Sequence, residues 1–574
     1  MATAGRSESG TSIQPTLLVP PHTLLVGFID RNAVQIFWMG SVAACVWILG
    51  YIFFRSVQPY PLDAFEEYEL HKVIRWQQGA PLYGSVETEV LPEAYPPLHF
   101  WLLRPLVSCF GTSFVPLRLL SMLAFAGTVA AGYWSFRDAN DSWRNIARIA
   151  ALTLFLSFHA LVGKWFELGK PDMLLTMFLA WAVVAGGHRT WAEVLLSSVA
   201  IWLASLTKQN APLFVLPLGA AHFLAGRKRW AIGWATAMSL LIGTSYWVLD
   251  RVWNGAFFHW VFVWTASHGI DWPNGLARTT NSVLQRGPLL IVVLTFSLVV
   301  RPKCRWTWCL AAAILVAVMG MAKSGGRENH LLPAAFIAAC VAARWGTELG
   351  CQSARATGVL AWRPILIVII AGTIVLGLPN ARDYRWVGKR SRELADWTAA
   401  VSQIDGSVAV GHNFLLAHQA GAECFFSDLI LEFPGLAVPP SVRARIETER
   451  FDYLILGADP KRSPTAGWSE LIAEHYEPAG DLDFTNRSNV LPNALYQARR
   501  LGFNQATICS LSPVIRGEGR GEGFCSSALC GPLTLTLSPE YRGEGTGARA
   551  RVACLRTRRI DLRLKEMAPC GVEL

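Results

Sequence analysis

Long apolar runs that few charges interrupt, such as 289-LLIVVLTFSLVV-300, constrain this chain more than any other feature. Among its 574 residues 52% are hydrophobic and only 16% charged, against roughly 25% charged in soluble domains. An ordinary soluble enzyme is excluded, and the bulk of the chain is expected in lipid. The formal net charge of +10 would suit nucleic acid. Yet Lys and Arg fall in short gaps between apolar runs rather than on one basic face with interleaved aromatics, so the charge reads as topogenic and no nucleic-acid partner is expected.

Apolar windows near 34-54, 114-136, 147-163, 172-187, 192-206, 211-226, 231-249, 286-300, 306-322, 331-345 and 363-379 predict a mainly α, polytopic membrane protein with about eleven transmembrane helices. A twelfth candidate, 98-LHFWLLRPLVSCF-110, is short and carries Arg104 and Pro105, so it reads as an interfacial helix. With the amino-terminal tail 1-33 inside and 98-110 not crossing, the inner loops collect Arg137, Arg144, Arg189, Arg227, Lys228, Arg229, Arg301, Lys303, Arg305, Arg344, Arg355 and Arg363, as short cytoplasmic loops do. That count puts everything after 380 on the outer side of a membrane, read as the bacterial cytoplasmic membrane.

The outer loop 55-113 is acidic, and its stretch 64-AFEEYELHKVIRW-76 predicts an amphipathic helix lying on the membrane, with Asp63 near its start. Residues 380-500 change to mixed charge: helices over 393-404, 441-450 and 470-480, strands over 407-411 and 452-457, and a hairpin ending near Tyr496 predict a small extracytoplasmic α/β domain. The tail 501-574 repeats LSP-x-x-RGEG at 511-519 and 537-545 in Gly- and Arg-rich surroundings, which indicates no packed fold. No cysteine spacing fits a metal signature, and the first apolar run is too long for a signal core and is expected to remain as the first span.

Ionisable groups held near span ends are the best functional candidates. Four regions supply them: Asp63 with Glu66; Lys164, Glu167, Lys170 and Asp172; Lys208; and Lys323, Arg327, Glu328, Asn329 and His330. In the eleven-span arrangement all four face the same side. Carboxylates beside cations at a lipid-water boundary suit displacement from a lipid phosphate, with a carboxylate activating an acceptor and cations holding the departing phosphate. Plainer readings stand beside this one: Asp63 as a helix cap, Lys170, Lys208 and Arg327 snorkelling to headgroups, Glu167 and Glu328 paired with neighbouring lysines, and Glu67, Glu69 and Glu93 solvated. The Trp- and His-rich stretch 250-285 reads as an interface belt or as a sugar- or lipid-facing wall.

The stretches 63-DAFEEYELHKVIRWQQGAPLYG-84, 95-YPPLHFWLL-103, 117-LRLLS-121, 169-GKPDMLLTMF-178, 205-SLTKQNA-211 and 325-GGRENHLLPA-334, in that order, resemble polytopic glycosyltransferases of the protein O-mannosyltransferase and lipid A aminoarabinose transferase type, whose membrane fold is called GT-C. The resemblance implies sugar transfer from a polyprenyl-phosphate donor to a glycan, lipid or protein acceptor at the outer membrane face. It also implies a first-loop carboxylate acting as base or with a metal. The family often has adjacent Asp-Glu there; here Phe65 stands before Glu66, so Glu66 matches the glutamate and Asp63 is the substitute for the aspartate. Asp172 matches the second acidic position, Lys208 the lysine after the fifth span and Arg118 the arginine opening the second, while Glu328 to His330 matches the donor-phosphate region loosely. The expected site is therefore Glu66, Asp63 and Asp172 as catalytic carboxylates, with Lys208, Arg327, Glu328, His330, Lys170 and Arg118 binding donor phosphate or substrate. Carboxylate oxygens suit Mg²⁺ or Mn²⁺, with Asp172 and Glu66 or Asp63 as the candidate pair, but the sequence defines too few ligands to require a metal. Two rival readings are a transporter or flippase, which needs a route to both faces, and a membrane scaffold, which predicts that neutralising Glu66, Asp172 or Lys208 has no effect.

Overall fold

The computed structural model describes residues 21–85, 93–139, 141–187, 189–323, 326–353, 371, 375, 377–379, 381–411, 414–424, 438, 440–448, 451–456, 467–481 and 494–498. The tail 501-574 and most of the expected span 363-379 lie outside them. Among the described residues up to Val252 the α-helices are α1 (Pro21–Ser56), α2 (Ala64–Gln77), α3 (Leu98–Phe110), α4 (Val115–Ser135), α5 (Asp141–Ser157), α6 (Pro171–Ala185), α7 (Trp191–Thr207), α8 (Val215–Leu224) and α9 (Lys228–Val252). Helices Trp272–Arg286, Pro288–Val300, Arg305–Ala322 and Leu332–Ser353 follow. Prolines at the first turns of α4, α6 and Pro288–Val300 fit positions whose backbone N–H has no helical partner.

The expectation of about eleven spans is corrected. Among the described residues, four helices are long and apolar enough to cross a membrane: Trp38–Ser56 within α1, α4, α9 and Arg305–Ala322. A fifth would count only if Trp272–Arg286 and Pro288–Val300, bent by 98° at Gly287, were taken as one span. Hydropathy overcounted because much of the apolar sequence serves protein packing. Helix α6 has 15 residues, about 22 Å of helix against a hydrocarbon core of about 30 Å, and Met173, Leu174, Leu175, Leu179, Val183 and Val184 along it are all buried. Helix α9 shows the opposite division. Ala231, Trp234, Met238, Ile242 and Leu249 form a buried stripe at helical spacing, while Ile232, Leu240, Trp247 and Val252 are exposed to lipid or water.

Helix α2 also differs from its expected place on a membrane surface. Glu66, Glu67, Glu69, Leu70, His71, Lys72 and Val73 are all buried, so the helix is packed on nearly every side. Its cover comes from α3, from the aromatic stretch 256–267 and from the short helix Phe414–Gln419. Helix α3 keeps one face in and one out: Phe100, Leu103 and Val107 are buried while Trp101, Leu102 and Phe110 are exposed.

Beyond helix Ala381–Ser402, four short strands form one open sheet in the order β1 (Val408–Val410), β2 (Tyr453–Leu456), β4 (Ala494–Ala498), β3 (Tyr476–Asp481). Strands β1 and β2 are parallel, with Ala409 opposite Leu454; β4 is antiparallel to both β2 and β3. Helices Pro440–Thr448 and Trp468–His475 cover it through Ile446, Trp468 and Ile472. This part is tied to the helices at several points. Tyr60 donates to the carbonyl of Val387 (2.6 Å), Trp47 to that of Pro379 (2.9 Å), and Lys164 pairs with Asp383.

Candidate functional site

The site is organised by the three glutamates of α2. Asp63 precedes them and its carboxylate accepts the N–H of Phe65 at 3.0 Å, capping the helix. Glu66 is fully buried and saturated: Arg118 donates to both its oxygens (3.1 and 2.9 Å), and the N–H groups of Leu62 (2.7 Å) and Gly169 (2.8 Å) complete its partners. Arg118 is equally occupied, donating also to the carbonyls of Gln58 (2.5 Å) and Tyr60 (2.6 Å). Gly169 has to be glycine, since a Cβ there would collide with the Leu117 side chain and push its N–H off Glu66. Glu67 points the other way and accepts the N–H groups of Leu415 (2.5 Å) and Leu416 (3.2 Å) at the start of the helix Phe414–Gln419.

Glu69 opens onto a cavity of about 420 Å³. Asp63, Glu93, Lys170, Lys208 and Arg327 line the same space. Glu93 accepts the N–H of Tyr95 (2.9 Å) with one oxygen, whereas its Oε2 and that of Glu69, both buried, have no hydrogen-bond partner among the described residues. Burial pushes the Glu69 carboxyl up to about 7, with Lys170 opposing that rise. Burial and the neighbouring Glu69 push Glu93 well above the usual carboxylate range.

The cations enter from helix ends. Lys170 stands just before α6, its ammonium 4.4 Å from the Phe65 ring centroid and 5.5 Å from that of Trp165. Lys208 ends α7, 5.1 Å from the Tyr95 centroid and 2.5 Å from Asp172 Oδ1. Asn329 donates to that same oxygen at 2.7 Å, and Asp172 Oδ2 has no partner among the described residues. His330 also lines the cavity; burial, then Lys208, lower it to about 3, so the imidazole is neutral near pH 7. Its ring lies against Gly320, where any Cβ would strike it.

A second cavity of about 620 Å³ adjoins the first and shares Asp63, Trp165 and Arg327 with it. Arg55, Lys164, Glu328, Arg382 and Asp383 line it too. Behind its wall Arg55 pairs with Glu167, which also bonds His159 at 2.9 Å. Burial alone would raise the Glu167 carboxyl, but Arg55 and then His159 outweigh it and hold it near 2.

Of the residues singled out in the sequence, Asp63, Lys170, Lys208, Arg327 and His330 come together around the first cavity, Glu328 lines only the second, and Asp172 sits behind Lys208. Glu66 and Arg118 line neither and hold each other in the packing between α2 and α4. Glu69 and Glu93, read as solvated, are buried in the site. The signal for Glu69 was its place six residues after Asp63 on a helix with apolar residues on several sides; Glu93 stands two residues before the rigid Tyr95-Pro96-Pro97 turn. Trp264, His268 and Trp272 of the aromatic stretch line the cavity, whereas Trp260 is buried with its indole N–H on the carbonyl of Gly84 (2.8 Å).

Glu66 has no oxygen left for the bridging metal considered from sequence, whereas the alternative pair of Asp172 and Asp63 keeps Asp172 Oδ2 free among the described residues. Both oxygens of Glu66 are taken by cationic or N–H donors, as is Asp172 Oδ1, and among the described residues no cluster of three or more Asp, Glu, His or Cys side chains could hold an ion.

No family model matches the chain, and no curated protein matches it. Among solved structures it is similar to ArnT from Cupriavidus metallidurans bound to undecaprenyl phosphate, at 12% identity and a TM-score of 0.49, covering 82% of this chain and 99% of that one. The apo form of the same protein gives 13% identity and a TM-score of 0.49, over 80% and 98%. A likeness this slight assigns neither family nor activity.

Proposed function

We propose that this chain transfers a sugar from a polyprenyl-phosphate donor to an acceptor hydroxyl at the outer face of the bacterial cytoplasmic membrane. The observation that carries the reading is one cavity in which Lys170, Lys208 and Arg327 face Asp63, Glu69 and Glu93 beside an apolar wall of Trp264, Trp272, Val316 and Met319. Separated charges of both signs next to apolar surface suit a substrate that is part phosphate, part polyol and part hydrocarbon. The motif resemblance in the sequence supports the same class.

The reaction is a direct displacement. Asp63, at the junction of the two cavities, takes the proton of the acceptor hydroxyl; the acceptor oxygen bonds the anomeric carbon from one side. The bond from that carbon to the phosphate oxygen breaks with its electron pair on the oxygen, and Lys170, Arg327 and Lys208 hold the dianion that results. Attack opposite the leaving group inverts the anomeric centre. The unpartnered oxygens of Glu69 and Glu93 are suited to hydrogen-bond hydroxyls of the sugar, and Asp172 with Asn329 holds Lys208 in position.

Orientation rests on charge. Arg137, Arg144, Arg189, Arg305 and Arg344 gather at the helix ends away from the cavity, and the basic end of a membrane protein stays cytoplasmic. On this reading residues 380-500 form an outer α/β unit over the membrane part 34-379.

Purified full-length protein in lipid, incubated with a panel of polyprenyl-phosphate sugars, should release polyprenyl phosphate with at least one of them. Release from none, or release that Asp63→Asn leaves at the wild-type rate, overturns the proposal.

A further inference from the structure

At the end of the bundle away from the two cavities, a half-open slot of about 210 Å³ runs between α1, α4, α5 and the helix Leu332–Ser353. Trp38, Val129, Gly132, Phe155, Phe336 and Cys340 make its floor and walls, all apolar. The volume exceeds the roughly 150 Å³ of an apolar cavity that takes benzene, so a segment of acyl chain fits.

Its mouth is a built cation. The Arg148 guanidinium lies 3.6 Å from the Tyr133 ring centroid and is fixed by three acceptors: the Tyr133 hydroxyl (2.9 Å), the Asn145 side-chain carbonyl (3.2 Å) and the Tyr133 carbonyl (3.3 Å). Among the described residues no carboxylate pairs with it; at the same end of the bundle Arg344 donates to the carbonyl of Ser135, whereas Arg137 is paired with Asp138 and Glu193 and adds no net charge. With Nε and Nη1 of Arg148 so engaged, Nη2 keeps its N–H groups for a phosphate oxygen and the guanidinium acts chiefly as a fixed positive charge, and basic pockets between membrane helices favour anionic headgroups.

We infer that this slot binds one anionic phospholipid of the surrounding bilayer, its acyl chain between Phe155 and Phe336 and its phosphate on Arg148. The charge at the mouth decides for an anionic over a zwitterionic lipid, and the apolar interior for a lipid over free phosphate. The inference does not depend on the transfer reaction, since the slot shares no residue with either cavity of the candidate site.

The test is native mass spectrometry of the full chain in detergent, offered equal phosphatidylglycerol and phosphatidylcholine with the same acyl chains. Wild type should retain one phosphatidylglycerol with a preference of about tenfold. Arg148→Ala, a change at the rim, should reduce that preference to twofold or less, and Arg148→Lys should keep most of it. Val129→Trp, filling the slot from α4, should lose the bound lipid while gel filtration and helical circular dichroism stay unchanged. Equal retention of both lipids by wild type, an Arg148→Ala protein with undiminished preference, or displacement of the phospholipid by added polyprenyl phosphate would each overturn it.

Discussion

Glu66→Gln separates a structural glutamate from a catalytic one. The native carboxylate receives four donors, two from Arg118 and one each from Leu62 and Gly169, at 0% exposure. The amide retains one acceptor oxygen and turns two N–H donors toward groups that are themselves donors. Arg118 is then a buried cation without its counter-charge. Breaking a buried pair from one side costs about 3–5 kcal/mol, and at just under about 1 °C per kcal/mol for a chain of this size the melting midpoint should fall by roughly 3–4 °C. The assay is thermal unfolding of purified Glu66→Gln in detergent, run beside polyprenyl-phosphate release per folded molecule, which should stay within a few-fold of wild type. Asp63→Asn is the mirror case: asparagine caps a helix about as well as aspartate, so the midpoint should hold within a degree or two while the rate drops about 10²- to 10⁴-fold. A Glu66→Gln protein with an unchanged midpoint and no turnover would refute the reasoning, because saturation by four donors would then not have kept Glu66 out of the chemistry.

Three further outcomes follow from the same contacts. Burial raises the Glu69 carboxyl in the folded state to about 7 from its ordinary 4.5, so the folded state binds the extra proton and stability falls as pH rises from about 4.5 through 7; Glu69→Gln should therefore raise the melting midpoint at pH 8 and change it little at pH 4. Glu167 is held near 2, so its contribution is full above 4.5 and lost as pH falls toward 2; Arg55→Met should remove it and lower stability at pH 7 by about 3–5 kcal/mol, read by denaturant titration. Glu67→Ala takes the acceptor from the N–H groups of Leu415 and Leu416 and should cost about 1 kcal/mol, read as faster hydrogen exchange at 414–419.

Local features were legible where neighbours in sequence decide them. The cap at Asp63, the short helix at 98-110 and strands β1 and β2 depend on residue types within a few positions, whereas the helix expected over 470-480 ends at His475 and Tyr476–Asp481 is strand β3, its conformation set by pairing with β4. Lys170, Lys208 and Arg327 could be picked out because a charge at the end of an apolar run is costly wherever the run ends up. The span count failed for a related reason: Met173, Leu175 and Val183 are as apolar as lipid-facing residues, and only their burial shows that protein takes the place of lipid around α6.

The sequence by itself determined that this chain is mainly helical, rich in apolar surface and furnished with ionisable groups at helix ends, since hydropathy and turn chemistry are properties of short segments. Tertiary structure decided which of four neighbouring carboxylates does what. Asp63 caps α2, Glu66 closes on Arg118, Glu67 caps a helix almost 350 residues away (|i−j| = 348), and Glu69 faces the cavity. Helical geometry sends successive side chains about 100° apart, so the partner each one meets is set by packing between distant segments and not by the residues beside it.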